Sequence, residues 1–213
     1  MMSLIARLAE KSWETPGVAG RADPAAYRPP AVQLGLYLFL GVATVIFVLF
    51  SAAYLMRMGL HSGMGHGPMS DWHPMPKPPL LWINTGILAA SSLAWETARR
   101  LTRRKASAPL RVAAMLGAAL GLLFLIGQLQ LWKQYQAGGY FLAANPANAF
   151  FYLLTAVHGL HLTGGLVAAL RTFYHMADGQ DDLRIRLNVQ LCAIYWHFLL
   201  LVWIVLLALL LST

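Results

Sequence analysis

Apolar residues in this chain neither alternate with polar ones nor fall into short amphipathic stripes; they run in five long blocks separated by brief polar stretches. The blocks cover roughly residues 31–57, 78–98, 109–132, 148–172 and 187–211. A helix needs about 20 mainly apolar residues to cross a hydrocarbon core about 30 Å thick, and each block is that long. Strands of a membrane barrel would be about 10 residues long with period-two alternation, which these blocks lack. The pattern predicts an all-α integral membrane bundle of five transmembrane helices, residues 31–213, preceded by an N-terminal arm, residues 1–30. No charge interrupts the first block from Ala31 to Met56, or the last from Leu187 onward. The second carries Asn84, Thr85, Ser91 and Ser92, and the third Gly117, Gly121 and Gly127. Small and weakly polar residues let membrane helices approach closely and bond across their interface, so these two helices are expected to face protein more than lipid.

Composition agrees with a membrane protein. Of 213 residues, 58% are hydrophobic and 11% charged, against roughly 25% charged in soluble domains. Cys192 is the only cysteine, which removes a disulfide framework and thiolate metal clusters. The net charge of +8 has its explanation in topology. Thirteen of the 16 Lys and Arg residues lie in the N-terminal tail, in the loop after the second block with Arg111 at the next helix entrance, or in the loop after the fourth; only Arg57, Lys77 and Lys133 lie on the other side. Basic residues stay cytoplasmic, so the N-terminus is expected in the cytoplasm and the C-terminus outside. A nucleic-acid partner is not needed to account for the charge. The polar first 30 residues and the long first apolar run argue against a cleaved signal peptide; Pro16, Pro24, Pro29 and Pro30 suit an extended or surface-lying arm.

Polar side chains inside a membrane are costly and are functional candidates by default. His158 and His161 lie near the middle of the fourth block, three residues apart and so on one helical face, and His197 lies near the middle of the fifth. Convergence of the three at one depth is one expectation. Two neutral imidazoles from facing helices would then be the axial pair of a haem, giving a bis-histidine membrane cytochrome b. The other reading has each histidine bonding a neighbouring hydroxyl, carbonyl or lipid head group. Glu96, with Arg99 and Arg100 three and four residues later, reads as a helix-end ion pair. Trp132, Tyr135 and Tyr140 are expected to form an aromatic belt at the outer interface. The loop between the first two blocks carries His61, Met64, His66, Met69, His73 and Met75; thioether with imidazole favours copper, above all Cu(I), although no ligand spacing closes a tetrahedral site. The alternative is a Gly/Pro loop rich in methionine. No nucleophile elbow, phosphate-binding loop, zinc-protease or dinucleotide-binding motif is present.

The last two blocks carry a resemblance. FFYLLTAVHGLHLTGGLVA at residues 150–168 is similar to a "YLLTGLHGLHVxxG" helix, and IYWHFLLLVWIVLL at 194–207 to a "YWHFVDxVWxxLF" helix, of subunit III of the haem-copper terminal oxidases. Weaker likeness extends through LGLYLFLGVATVIFVLFSAAY at 34–54, WINTGILAASS at 82–92 and LGLLFLIGQLQLW at 120–132. Five helices in place of seven is the arrangement of that family's shorter members. The resemblance implies a non-catalytic subunit of a respiratory oxidase in the bacterial inner (plasma) membrane, packed against subunits I and II, binding phospholipid and supporting dioxygen access and durability of the complex. It implies no cofactor in this chain, with haem and copper held by subunit I. By the same resemblance His158, His161, Trp196 and His197 order helices or lipid, with Trp203 among the matched residues, and Arg99, Arg100, Arg103 and Arg104 meet anionic phosphates. Two positions depart from the family pattern: Ala43 stands where a carboxylate of a "WLFLxSE" motif is usual, and Leu200 where the last motif has Asp. Roles tied to those acids are not carried over. A partner of a nitric oxide reductase would share the same helices.

Overall fold

The computed structural model describes residues 31–63, 76–104, 107–178 and 182–212, with the side chains of 59–63 and 107 left aside. The N-terminal arm and the Met/His loop (Met64, His66, Met69, His73 and Met75, with the side chain of His61) lie outside the described residues. Everything regular within them is α-helix: α1 (Ala31–Gly63), α2 (Pro79–Arg103), α3 (Ser107–Ala137), α4 (Pro146–Ala177) and α5 (Asp182–Leu211). Two compact units are distinguished, Met1–Tyr37 and Leu38–Thr213. The first contributes only the opening turns of α1, where the Gln33 amide donates to the Tyr37 hydroxyl. The description below concerns the second.

Helix boundaries follow local chemistry. Pro79 and Pro146 occupy first-turn positions, where the missing N–H is no loss and the fixed φ suits a helix. Asn145 caps α4 by accepting from the Ala147 N–H at 2.9 Å. At the end of α3, Gly139 has φ +84°, Tyr140 N–H donates to Tyr135 C=O and Gly139 N–H to Gln136 C=O. That pair of bonds is the Schellman closure, and the left-handed residue it needs is glycine. Helices α3, α4 and α5 overrun the apolar blocks by several residues, because backbone bonding continues where the side chains have turned polar.

Among the described residues, four helices are long and apolar enough to cross a membrane, over Ala31–Met58, Ala108–Ala137, Pro146–Ala177 and Asp182–Leu211. The fifth, α2, falls short on composition, and its burial pattern says why. Its polar Asn84, Ser91 and Ser92 point inward with Leu81, Leu88, Ala94, Trp95 and Ala98, while Trp82, Ile83 and Leu93 are exposed. Within the span its polar side chains turn inward among apolar ones, as expected for an element whose polar groups bond to other helices.

Helix α2 packs on α3 and α5, α5 also on α4, and α3 on α4. Helix α1 turns the stripe Ala43, Phe47 and Tyr54 inward and leaves Val42, Val45, Val48 and Leu49 exposed. Rings carry its contact with α4: Phe47 lies 5.4 Å from His161 and Tyr54 lies 5.7 Å from Phe150, edge to face. At one end of the bundle Lys77 donates to the Leu211 carbonyl at 3.0 Å, meeting an orphan acceptor at a helix C-terminus with a positive charge. Tyr135 donates to the Pro76 carbonyl at 2.7 Å and is only 5% exposed. It is a buried tie between α3 and the entry to α2, which corrects its assignment to the aromatic belt. Trp132 also points to a partner, donating its indole N–H to Thr155.

Candidate functional site

Hydroxyls on α2 and indoles or imidazole on α5 meet along one seam. The Trp203 indole donates to Thr85 Oγ1 at 3.0 Å. About two turns further along α2, the Trp196 indole donates to Ser91 Oγ at 2.8 Å, and the Ser91 hydroxyl donates in turn to the Gly117 carbonyl of α3 at 2.6 Å. Ser92 Oγ lies 2.6 Å from His197 Nδ1. The other ring nitrogen of His197, Nε2, stands 3.4 Å from Glu96 Oε2. A carboxylate oxygen accepts only, so Nε2 carries a proton towards Glu96, and in the neutral ring Nδ1 receives the Ser92 hydroxyl. Glu96 in turn accepts from Arg99 Nε and Nη2 at 2.7 and 3.0 Å and from Arg100 Nε at 2.9 Å. The helix-end ion pair read from the i,i+3 and i,i+4 spacing is present, and it extends through His197 to Ser92.

Close packing makes the seam possible. Trp95 and Trp196, both fully buried, have ring centroids 4.9 Å apart. Trp95 occupies the notch left by Gly117, and Trp196 the one left by Gly121; Tyr195 fills that of Gly165. These glycines are contact surfaces for large rings. Tyr195 completes the α4–α5 contact by donating to the His161 carbonyl at 2.7 Å.

The three histidines do not share one place. His158 is fully buried, with Trp203, Phe124 and Phe47 rings 5.3, 5.8 and 6.4 Å from its own. His161 donates from Nδ1 to the Val157 carbonyl one turn earlier, at 2.8 Å, beneath Phe47 and Phe39. His197 bonds to α2 and keeps 46% of its side chain exposed. The expected convergence is corrected by helix geometry. His197 precedes Trp203 by six residues, a rotation of about 240° at 3.6 residues per turn, so the face of α5 that meets His158 is not the face that carries His197. Depth differs as well: Trp203, which meets His158, lies six residues and about 9 Å along α5 from His197, so neither depth nor direction was legible in sequence. Of the four arginines, Arg99 and Arg100 are held by Glu96, whereas Arg103 and Arg104 are exposed at the end of α2. Ala43 is 1% exposed and Leu200 partly buried.

Comparison with known proteins decides the family. The family model for cytochrome c oxidase subunit III matches residues 21–211. The chain belongs to the cytochrome c oxidase subunit III family. Among its relatives, the cytochrome c oxidase subunit 3 of Thermostichus vulcanus is 31% identical over 92% of this chain and 94% of its own length. That of Synechocystis sp. is 31% identical over 84% of this chain and 74% of its own length, and that of Bacillus subtilis 27% identical over 80% and 81%. The match runs through every helix. Respiratory oxidase chemistry is the setting in which the α2–α5 seam and the buried histidine of α4 are to be understood.

Proposed function

We propose that this chain is the non-catalytic subunit III of a haem-copper terminal oxidase, crossing the inner membrane five times with its N-terminal side cytoplasmic, and docking on subunit I through the outer edge of the α2–α5 seam. Haem and copper belong to the partner in this reading. The observation that carries it is the position of His197: halfway along an apolar helix, bonded to Ser92 and Glu96, yet nearly half exposed. An imidazole facing lipid at that depth is costly, and such groups in membranes face protein or water. A protein surface is the occupant that fits a family whose members are oxidase subunits. The five-span topology is supported by the side-to-side imbalance of Lys and Arg, and by α2, which exposes Trp82, Ile83 and Leu93 and turns Asn84, Ser91 and Ser92 inward. Phospholipid binding is supported by exposed Arg103 and Arg104 beside the membrane, since basic clusters there attract anionic head groups by about 1 kcal/mol each. His158, His161 and Trp196 act in this reading as helix-ordering residues, and support for dioxygen access follows from docking on the catalytic subunit.

Replacing His197 with leucine is expected to lower the amount of subunit I that co-purifies with this chain under mild detergent, while the haem spectrum of the subunit I that remains is unchanged. Leucine keeps the helix and removes the polar contact. Unchanged subunit stoichiometry in His197→Leu would sink the docking face. A haem band that stays with the isolated chain and vanishes in the mutant would instead make the chain a cytochrome.

A further inference from the structure

Deep in the bundle, three helices each contribute a polar side chain that finds no hydrogen-bond partner among the described residues. Asn84 of α2, Gln128 of α3 and His158 of α4 are 1%, 5% and 0% exposed. Both amide atoms of Asn84 and of Gln128, and both ring nitrogens of His158, are unsatisfied. They belong to one layer. The Asn84 amide presses against Gly127, the residue before Gln128. Thr85, next to Asn84, receives the Trp203 indole, and the Trp203 ring lies 5.3 Å from His158. Phe124, one turn before Gln128 on the same buried stripe, touches both Trp203 and His158, at 4.9 and 5.8 Å.

The chemistry of the set selects its ligand. Two carboxamides offer N–H donors and carbonyl acceptors, and a neutral imidazole adds one of each. None of the three is an acid, so a bare cation lacks its counter-charge. None carries a fixed positive charge, so an anion lacks one too. Aromatic rings close the layer on the α1, α3 and α5 sides, which limits the ligand to something small. Groups like these are not left unpaired inside a bilayer, and buried polar sites are where proteins hold structural water.

We propose that Asn84, Gln128 and His158 bind a small cluster of buried water molecules. The cluster bonds α2, α3 and α4 to one another at this depth and gives His158 a proton-exchanging neighbour inside the membrane. The proposal does not depend on which subunit docks outside.

The test uses the full chain, labelled with nitrogen-15 histidine and reconstituted in lipid vesicles. Magnetisation transfer from water protons to the ring nitrogens is recorded by solid-state NMR, and the His158 signal is identified by its loss in His158→Gln. The expected result is transfer from water to His158 that survives when bulk water is frozen out of the spectrum. A His158 ring with no water contact overturns the proposal. A second measurement reads the sign of a stability change. In a dry layer, Asn84→Leu or Gln128→Leu removes an unsatisfied group and raises the thermal midpoint; in a hydrated one it strands the remaining partners and lowers it. The expected result is a lower midpoint in each variant, with the double variant losing less than the two single losses together, as for groups sharing one network. A raised midpoint in either single variant overturns the proposal.

Discussion

Alanine at position 117 is expected to lower the stability of the bundle by about 1–3 kcal/mol, the usual cost of forcing extra volume into a packed core. A β-carbon there would sit 2.7 and 2.8 Å from Cδ1 and Nε1 of Trp95. The indole has nowhere to retreat: it is fully buried, lies 4.9 Å from Trp196 and stacks on Phe173 at 6.4 Å. Moving it would also part α2 from α3 where Ser91 donates to the Gly117 carbonyl. Gly86→Ala provides the control, since a β-carbon there meets nothing within 4 Å and alanine is the better helix former. Thermal unfolding of the two purified variants compares them directly. Equal midpoints would mean that α2 and α3 are not held as closely as the Trp95 notch requires.

A larger loss is expected from Ala43→Glu, which restores the carboxylate usual in the family. Ala43 is 1% exposed, one turn from Phe47, whose ring covers His161 and His158. His161 already spends Nδ1 on the Val157 carbonyl. A new acid at Ala43 must be buried, with only the imidazole nitrogens of His158 and His161 behind the Phe47 ring to receive it, and left unpaired it costs on the order of 2–7 kcal/mol even as a neutral group. The expected outcome is reduced folded protein in the membrane, with the carboxyl protonated in what folds, seen as its C=O stretch in the infrared. Normal yield with an ionised carboxylate would show that a polar pocket persists beside α1.

Five helices in the right order, the ion pair of Glu96 and the close approach of α2 and α3 were all legible before any coordinates. Each rests on spacing within one element: block length, an i,i+4 relation, or a run of small residues. The arrangement of the histidines was not legible, because it depends on how α2, α4 and α5 are rotated against one another, and α4 and α5, apolar almost all round, carry no moment that records rotation. The inward polar face of α2 was half legible. Thr85, Ser91 and Ser92 announced bonding across an interface, but Trp203, Trp196 and His197 as their respective partners emerge only when α5 is laid antiparallel beside α2. Tyr135 misled for a related reason, since a tyrosine near a helix end has the same signature whether it faces head groups or reaches the carbonyl of Pro76. Asn84 and Gln128 drew little notice as single residues, and their shared layer is a property of the assembled bundle.

The Trp95–Trp196 pair gives the bundle an optical signature. Two indoles with centroids 4.9 Å apart and ring planes inclined at 38° are close enough for their excited states to couple, so this pair should add an exciton couplet to the indole bands in the circular dichroism of the protein. Because one ring rides on α2 and the other on α5, that couplet reports the separation of two helices, a ruler already built into the chain without any added dye.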